Sequence, residues 1–281
     1  MAGGVGSGGF DPVSTIDGRR HRITLGLRRL DLADWLLVDE HADAEIAHKR
    51  QLLSADGDEV LRTMPAGDEA ADELLTEIVA NLSAHHPARS TEPEPALHPV
   101  HAAALLVQED LCIMTREAQE WTMTSACVYF PSRWRLADKI GASVAAIHAP
   151  VPDYDQISAP VDLLFERLTP ERPMWRVNWT LMDDPALHQP SRPATTVEDP
   201  GSWTFRVERQ TLRRLPHTGA AVFTIRTYRR RLADLVIADP AAATALATTL
   251  TTVTPDQREY RAWDELPALV ASLRAQGDNP G

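Results

Sequence analysis

The stretch "RWRLADKIGASVAAIHAPVP", Arg133 to Pro152, has the spacing of a helix whose last turn carries His148 and which stops at Pro150 and Pro152. Ile140, Val144 and Ile147 lie on the apolar side of that helix, and His148 stands one turn past Val144, so it projects the same way. A lone histidine there is ordinarily a satisfied core or boundary residue. The chemistry that would use it is a flat apolar ligand needing one axial nitrogen. Haem is such a ligand, held by a single histidine in an otherwise apolar pocket with arginines at its propionates. Arg133 and Arg135, at the other end of the same helix, could meet carboxylates at a pocket rim or simply be solvated.

A second constellation lies in "VERQTLRRLPHTGAAVFTIRTY". Strand alternation puts Glu208 on a polar face with Thr204 and Arg206, opposite Phe205 and Val207. In the next strand Arg226 shares a face with Val222 and Thr224, and Tyr228 continues it. A charge on a face carrying Val222 is costly unless it is paired or ligand-bound. Glu208 and Arg226 therefore form either a buried ion pair or part of a polar patch around a ligand. Other motifs are missing. "GGVGSGGF" lacks a preceding strand and the phosphate-loop lysine, there is no Gly-x-Ser-x-Gly elbow, and no histidine pair sits four apart on a buried helix. His85 and His86 read as a solvated helix end.

The elements that must position these residues belong to a soluble globular chain. At 281 residues and 43% hydrophobic it can bury a substantial core. Its net charge of −12 argues against general nucleic-acid binding. The acidity is uneven: 14 acidic and 3 basic residues from Asp31 to Glu77, but 8 arginines and one glutamate from Trp203 to Arg231. Two cysteines, Cys112 and Cys127, cannot make a disulfide framework or a closed zinc site. No apolar run approaches the ~20 residues that span a bilayer. "MAGGVGSGGF" has neither part of a secretory signal, so a flexible tail and a cytoplasmic location are expected.

After a tail over 1–18, two amphipathic segments, "LDLADWLLVDEHADAEIAHKRQLL" and "DEAADELLTEIVANLSAHHP", predict helices. "ARSTEPEPALHP" then reads as a Pro-rich linker, closing an amino-terminal segment over 19–100. From 101 to 235 the texture becomes strands, then two helices, one from Ser132 and one around "SAPVDLLFERL", then the strands "WRVNWTL", "WTFRVERQ" and "AAVFTIRTY". "WTMTSACVYF" should alternate so that Trp121, Met123, Cys127 and Tyr129 share one face. Residues 236–281 return to helix. The order predicts an α+β architecture, an antiparallel sheet with helices over one face.

The motifs "VQEDLCIM", "FPSRWRLADKIGASVAAIHAPVP", "RVNWTL" and "ERQTLRRLPHTGAAVFTIRTY" together resemble the haem-dependent oxidative N-demethylase family, which includes a dimethylamine monooxygenase subunit. The resemblance runs from about Leu30 to Tyr228. It implies a PAS-like haem-binding core over 101–235, with the amino-terminal helices and linker outside it. It also implies haem b bound through a histidine, and oxidative removal of an N-methyl group with O2, releasing formaldehyde. Electrons would come from an external flavin and iron–sulfur reductase of ferredoxin type. "IHAPVP" gives His148 the ligand role; His217 in "RRLPHTGA" is a rival, and Cys127 a third whose preferred reading is a buried neutral thiol. On this reading Glu208 holds a cationic amine, with Arg226 beside it, while Asn178, Trp179 and Tyr228 wall the pocket. Arg213, Arg214, Arg229, Arg230 and Arg231 would dock an acidic electron donor, or else balance the acidic amino-terminal helices. The competing function is a haem-binding PAS sensor of gas or redox state, for which no output module is recognisable in the sequence.

Overall fold

The computed structural model describes residues 10–191 and 202–277. The first nine residues of the expected tail lie outside that range. The rest of it is docked: Asp11 caps a 3-10 turn, Pro12–Thr15, and Phe10 packs on Trp175 and Tyr228.

Seven strands build one sheet: β1 (Arg28–Arg29), β2 (Leu61–Thr63), β3 (Asp110–Glu117), β4 (Glu120–Cys127), β5 (Met174–Met182), β6 (Thr204–Arg214) and β7 (Ala221–Arg231), in the order β1-β5-β6-β7-β3-β4-β2. Every neighbouring pair is antiparallel, so the α+β reading holds. β1 and β2 come from the amino-terminal segment and extend the two edges of the sheet.

The helices are α1 (Ala42–Val60), α2 (Asp68–His85), α3 (Pro99–Ala104), α4 (Val144–His148), α5 (Ser158–Arg167), α6 (Leu232–Ala238), α7 (Pro240–Leu250), α8 (Pro255–Arg261) and α9 (Leu266–Gly277). On one face of the sheet, Leu74, Ile78 and Leu82 of α2 pack with Leu111, Ile113 and Val222. The amino-terminal helices thus do not stand outside the core as expected. The stripe they carry at helical spacing has to be buried, and the sheet buries it. Farther along the same face, α6, α7 and α9 close over Leu181, Phe205 and Val207, with Trp263 fully buried among them. Val144 of α4 and Val161 and Phe165 of α5 cover Cys112, Met114 and Leu212 on the opposite face. Both faces are covered, so most of β6 and the first seven residues of β7 are buried or nearly so, while β7 ends in three exposed arginines.

Two expectations about local structure change. The single helix predicted from Ser132 is broken, and only a 3-10 turn (Leu136–Asp138) and the short α4 remain. Gly141 adopts φ +77°, donates its N–H to the Met123 carbonyl, and the Ala142 carbonyl accepts from Met123 N–H. Pairing with β4 thus outcompetes helix propagation, and glycine supplies the left-handed backbone this requires. In β4 the register shifts at Ile113/Met114, where Met114 faces Met123 while Ile113 faces Ser125, leaving Thr124 as an extra residue. That bulge switches the alternation. Trp121 and Met123 face α4 and α5, whereas Cys127 and Tyr129 face α2, so the four do not share a face.

Candidate functional site

α4 begins at Ser143, whose hydroxyl oxygen accepts from Ala146 N–H, and ends on His148. The last turn of α4 is closed from two sides. Lys139 Nζ donates to the Ile147 carbonyl, and His148 Nδ1 donates to the Val144 carbonyl at 2.8 Å. Because that carbonyl can only accept, the ring carries its proton on Nδ1, and Nε2 is left as a lone-pair nitrogen. Tyr154 stacks on the imidazole, with centroids 5.0 Å apart and planes 12° from parallel, and fixes its orientation. The ring is exposed, unlike Val144, so the interior position expected of it is not found. Neighbouring protein atoms still lower the His148 pKa from its ordinary 6.5 by desolvation, against the Val144 hydrogen bond, with Lys139 and Arg176 adding repulsion. The imidazole is therefore neutral at pH 7, as a metal ligand must be.

The sheet face that α4 and α5 cover is polar farther along, at β5 and β6. Asn178 pairs in register with Glu208, Arg176 with Gln210 and Thr180 with Arg206, so these six side chains form adjacent rows on one face. Ser132 hydroxyl donates to Glu208 Oε1 at 2.6 Å, Gln210 Nε2 donates to Oε2 at 2.9 Å, and Arg206 Nε stands 3.9 Å away. Arg206 itself is anchored by donating to the Leu187 and Phe130 carbonyls. Arg176 lies within electrostatic reach of both His148 and Glu208. Arg261, the last residue of α8, also lies within electrostatic reach of Glu208.

His148, Glu208 and Asn178 thus lie on one side of the sheet. Arg226 and Tyr228 do not. Glu208 faces Thr227 across the β6–β7 ladder and Arg226 faces Arg209, so Glu208 and Arg226 point to opposite faces and cannot pair. Arg226 instead donates to Glu45 Oε2 at 2.8 Å and Asp39 Oδ2 at 2.6 Å, and its guanidinium lies 4.8 Å from the Tyr228 ring centroid. Trp179 also faces away, against Phe205, Trp263 and His21. Arg133 sits at φ +60° and forms an ion pair with Asp183. Arg135 is exposed and bound to Glu59 at 2.8 Å.

Neither rival ligand shares this site. His217 is exposed in the β6–β7 turn, where its backbone N–H donates to Glu73 of α2 at 2.7 Å. Cys127 is fully buried, and burial drives its thiol pKa far above the ordinary value. Lys49 lies close enough to pull that pKa down, but desolvation outweighs it, and the thiol stays neutral. Among the described residues no three His, Cys, Asp or Glu side chains gather as a metal site.

The basic run at 203–231 is mostly interior. Arg206, Arg209, Arg213 and Arg226 are buried. Arg213 is paired with Glu77 and Arg226 with Asp39 and Glu45, so part of the run does balance the acidic helices. Arg214 is half-buried, donating to the Phe165 carbonyl. Only Arg229, Arg230 and Arg231 are exposed, and Arg229 is tied to the Pro185 carbonyl. The surface charge expected of Arg213 is therefore absent, and that of Arg214 is partly covered.

The sequence reading did not single out Arg176, Arg261, Tyr154 or Ser132. Arg176 alone carried a signal, standing two residues before Asn178 and hence on its face. The others arrive through long-range packing.

These residues suit a haem. There is one neutral histidine with Nε2 available, the apolar Ile147, Val151, Tyr154 and Phe223 lie in the surrounding cluster, and buried Nε atoms of Arg176 and Arg261 have no partner. The model of the family described as haem-dependent oxidative N-demethylase, alpha subunit-like, matches residues 26–270, a span that takes in every strand of the sheet and the whole candidate site. The chain belongs to that family.

Proposed function

We propose that this chain binds haem b through His148 Nε2 and carries out oxidative N-demethylation of a small amine, with O2 and electrons from an external reductase. The observation that carries this reading is the hydrogen bond from His148 Nδ1 to the Val144 carbonyl. It fixes the tautomer and aims Nε2 outward, as second-shell partners do for metal-bound histidines. The five central strands also support a PAS-like core: two strands, then α4 and α5, then three strands, with β7 inserted beside β3.

When bound, the haem supplies the O2-dependent oxidation of the N-methyl group. The chain's own residues do the rest. His148 holds the group and Tyr154 keeps the imidazole plane in place. Glu208, oriented by Ser132 and Gln210, is the carboxylate that can hold an ammonium on this face. Asn178, directly across the ladder, offers an amide beside it. The four-thiolate iron–sulfur cluster of a typical electron donor cannot be built from two cysteines, so a separate redox partner supplies the electrons.

Glu208→Gln tests the amine-binding role. A hydrogen bond to a charged group contributes ~1.5–3 kcal/mol, so kcat/KM for the amine should fall about 10–100-fold with haem content nearly unchanged. Parallel loss of haem, fold and turnover would instead make Glu208 a structural anchor for Ser132 and Gln210.

The exposed end of β7 is the corresponding test for the donor. In an Arg230→Glu/Arg231→Glu variant, turnover driven by an acidic reductase should slow several-fold and lose part of its salt dependence. Turnover driven by a small uncharged reductant should match wild type. Equal rates in both assays would exclude this patch as the docking surface.

A further inference from the structure

We infer that Arg176, on the sheet face of Glu208, forms a carboxylate-binding site together with Arg261 at the edge of β5, and that a bound ligand's carboxylate completes the charge balance there. This rests on the haem reading above and names what that reading leaves open. Arg176 is half-buried on β5, makes no side-chain hydrogen bond and no ion pair among the described residues, and its Nε is buried without a partner. Arg261 spends one nitrogen on the Trp179 carbonyl at 3.2 Å, and its Nε is likewise buried and unpartnered. The anion both of them sense is Glu208. That carboxylate is already committed: Ser132 and Gln210 take one oxygen each, and Arg206 stands 3.9 Å away.

Three guanidinium groups therefore share the field of a single carboxylate, of which Arg206 alone is within ion-pair reach of it. Arginine does not shed its proton, so burial cannot neutralise the excess as it would for a lysine. Desolvation acts against the charge of both Arg176 and Arg261, Glu208 offsets only part of it, and a further anion would relieve the rest. The guanidinium fork matches a carboxylate in bidentate geometry. The neighbours decide for an anion carried on an apolar body, because Ile147, Val151, Tyr154 and Phe223 line the cluster on this side.

The carboxylate can belong to haem, as a propionate, or to the substrate, as in an N-methylated amino acid. Titrating apoprotein with haem b and with its dimethyl ester separates these, using the Soret band as readout. Haem-loaded protein titrated with N-methylglycine and with dimethylamine, followed by the spectral change, supplies the second arm. If the anion is a propionate, wild type should bind the ester at least about tenfold more weakly than haem b. Arg176→Met should lose that discrimination, and Arg176→Lys should restore part of it. If the anion is the substrate's, both porphyrins should bind alike, and Arg176→Met should lose N-methylglycine binding about tenfold while dimethylamine binding is unchanged. The Lys variant, with a circular dichroism spectrum of each apoprotein, separates a lost site from a lost fold. Wild-type behaviour of folded Arg176→Met in both arms would overturn the inference alone. Failure of wild type to bind either porphyrin would overturn the haem reading and this inference together.

Discussion

His148→Ala should abolish stoichiometric haem binding, dropping affinity by at least about 100-fold, while the apoprotein keeps its fold. Loss of a partner in the second shell already costs about 10–100-fold at a metal site, and His148 is the proposed ligand itself. The side chain closes no buried network: its one hydrogen bond is local, to the carbonyl a turn earlier, and α4 is held independently by Ser143 and Lys139. Truncation should therefore spare stability and remove the nitrogen. Free imidazole added to the variant should recover part of the Soret band, whereas His217→Ala should behave as wild type because that residue sits in the β6–β7 turn against α2, on the side of the sheet opposite α4. The pH dependence has a definite sign. Protonation of Nε2 competes with iron, and desolvation holds the His148 pKa below 6.5. Haem affinity should therefore fall on acidification, and at a lower pH than for an unperturbed imidazole. An unchanged Soret band in His148→Ala, or its loss in His217→Ala alone, would move the ligand elsewhere.

What the sequence revealed, and what it hid, follows from the range of the interactions involved. The amphipathic repeat of α2 and the alternation of β6 and β7 are local patterns, and each was legible. So was the sidedness of Glu208 and of Arg226, each within its own strand. Their relative orientation was not. It depends on the register of the β6–β7 hairpin, in which residue numbers of facing pairs sum to an odd number, so Glu208 meets Thr227 and not Arg226. A connection one residue longer would have reversed it. Residues 132–148 carry helix-compatible side chains throughout, yet β4 captures the backbone at Gly141 and Ala142, a contact with no local signature. The bulge at Thr124 is of the same kind. Arg226 shows the corresponding limit for charge. Its need for a partner was legible from Val222, but Asp39 and Glu45 lie some 180 residues away in sequence.

Lys49→Met should cost about 3–5 kcal/mol of stability, out of the ~5–15 kcal/mol that hold an ordinary domain together. Lys49 is fully buried, and its ammonium donates to the carbonyls of Ala104 at 3.1 Å, Val107 at 2.9 Å and Glu109 at 2.7 Å. It thus ties α1 to the turn that launches β3, beneath the rings of Tyr129 and Phe130. Methionine keeps the volume but leaves those acceptors dry. It also strips the cation nearest Asp110, a fully buried carboxylate that accepts the N–H groups of Tyr129 and Phe130, each at 2.9 Å. Desolvation pushes the Asp110 pKa up to about 6, with Lys49 the largest influence holding it down. A carboxyl whose folded pKa exceeds its unfolded value of 3.8 binds more protons in the native state, so stability falls as pH rises through that window. Without Lys49 the folded pKa climbs further and the window widens. The loss in Lys49→Met should therefore be larger at pH 8 than at pH 5, read as a difference in urea midpoints. Asp110→Asn in the same background should offset part of it at pH 8, because a neutral amide needs no counter-charge. A loss independent of pH, with the two substitutions strictly additive, would mean that Lys49 acts through its carbonyl hydrogen bonds alone and that Asp110 does not sense it.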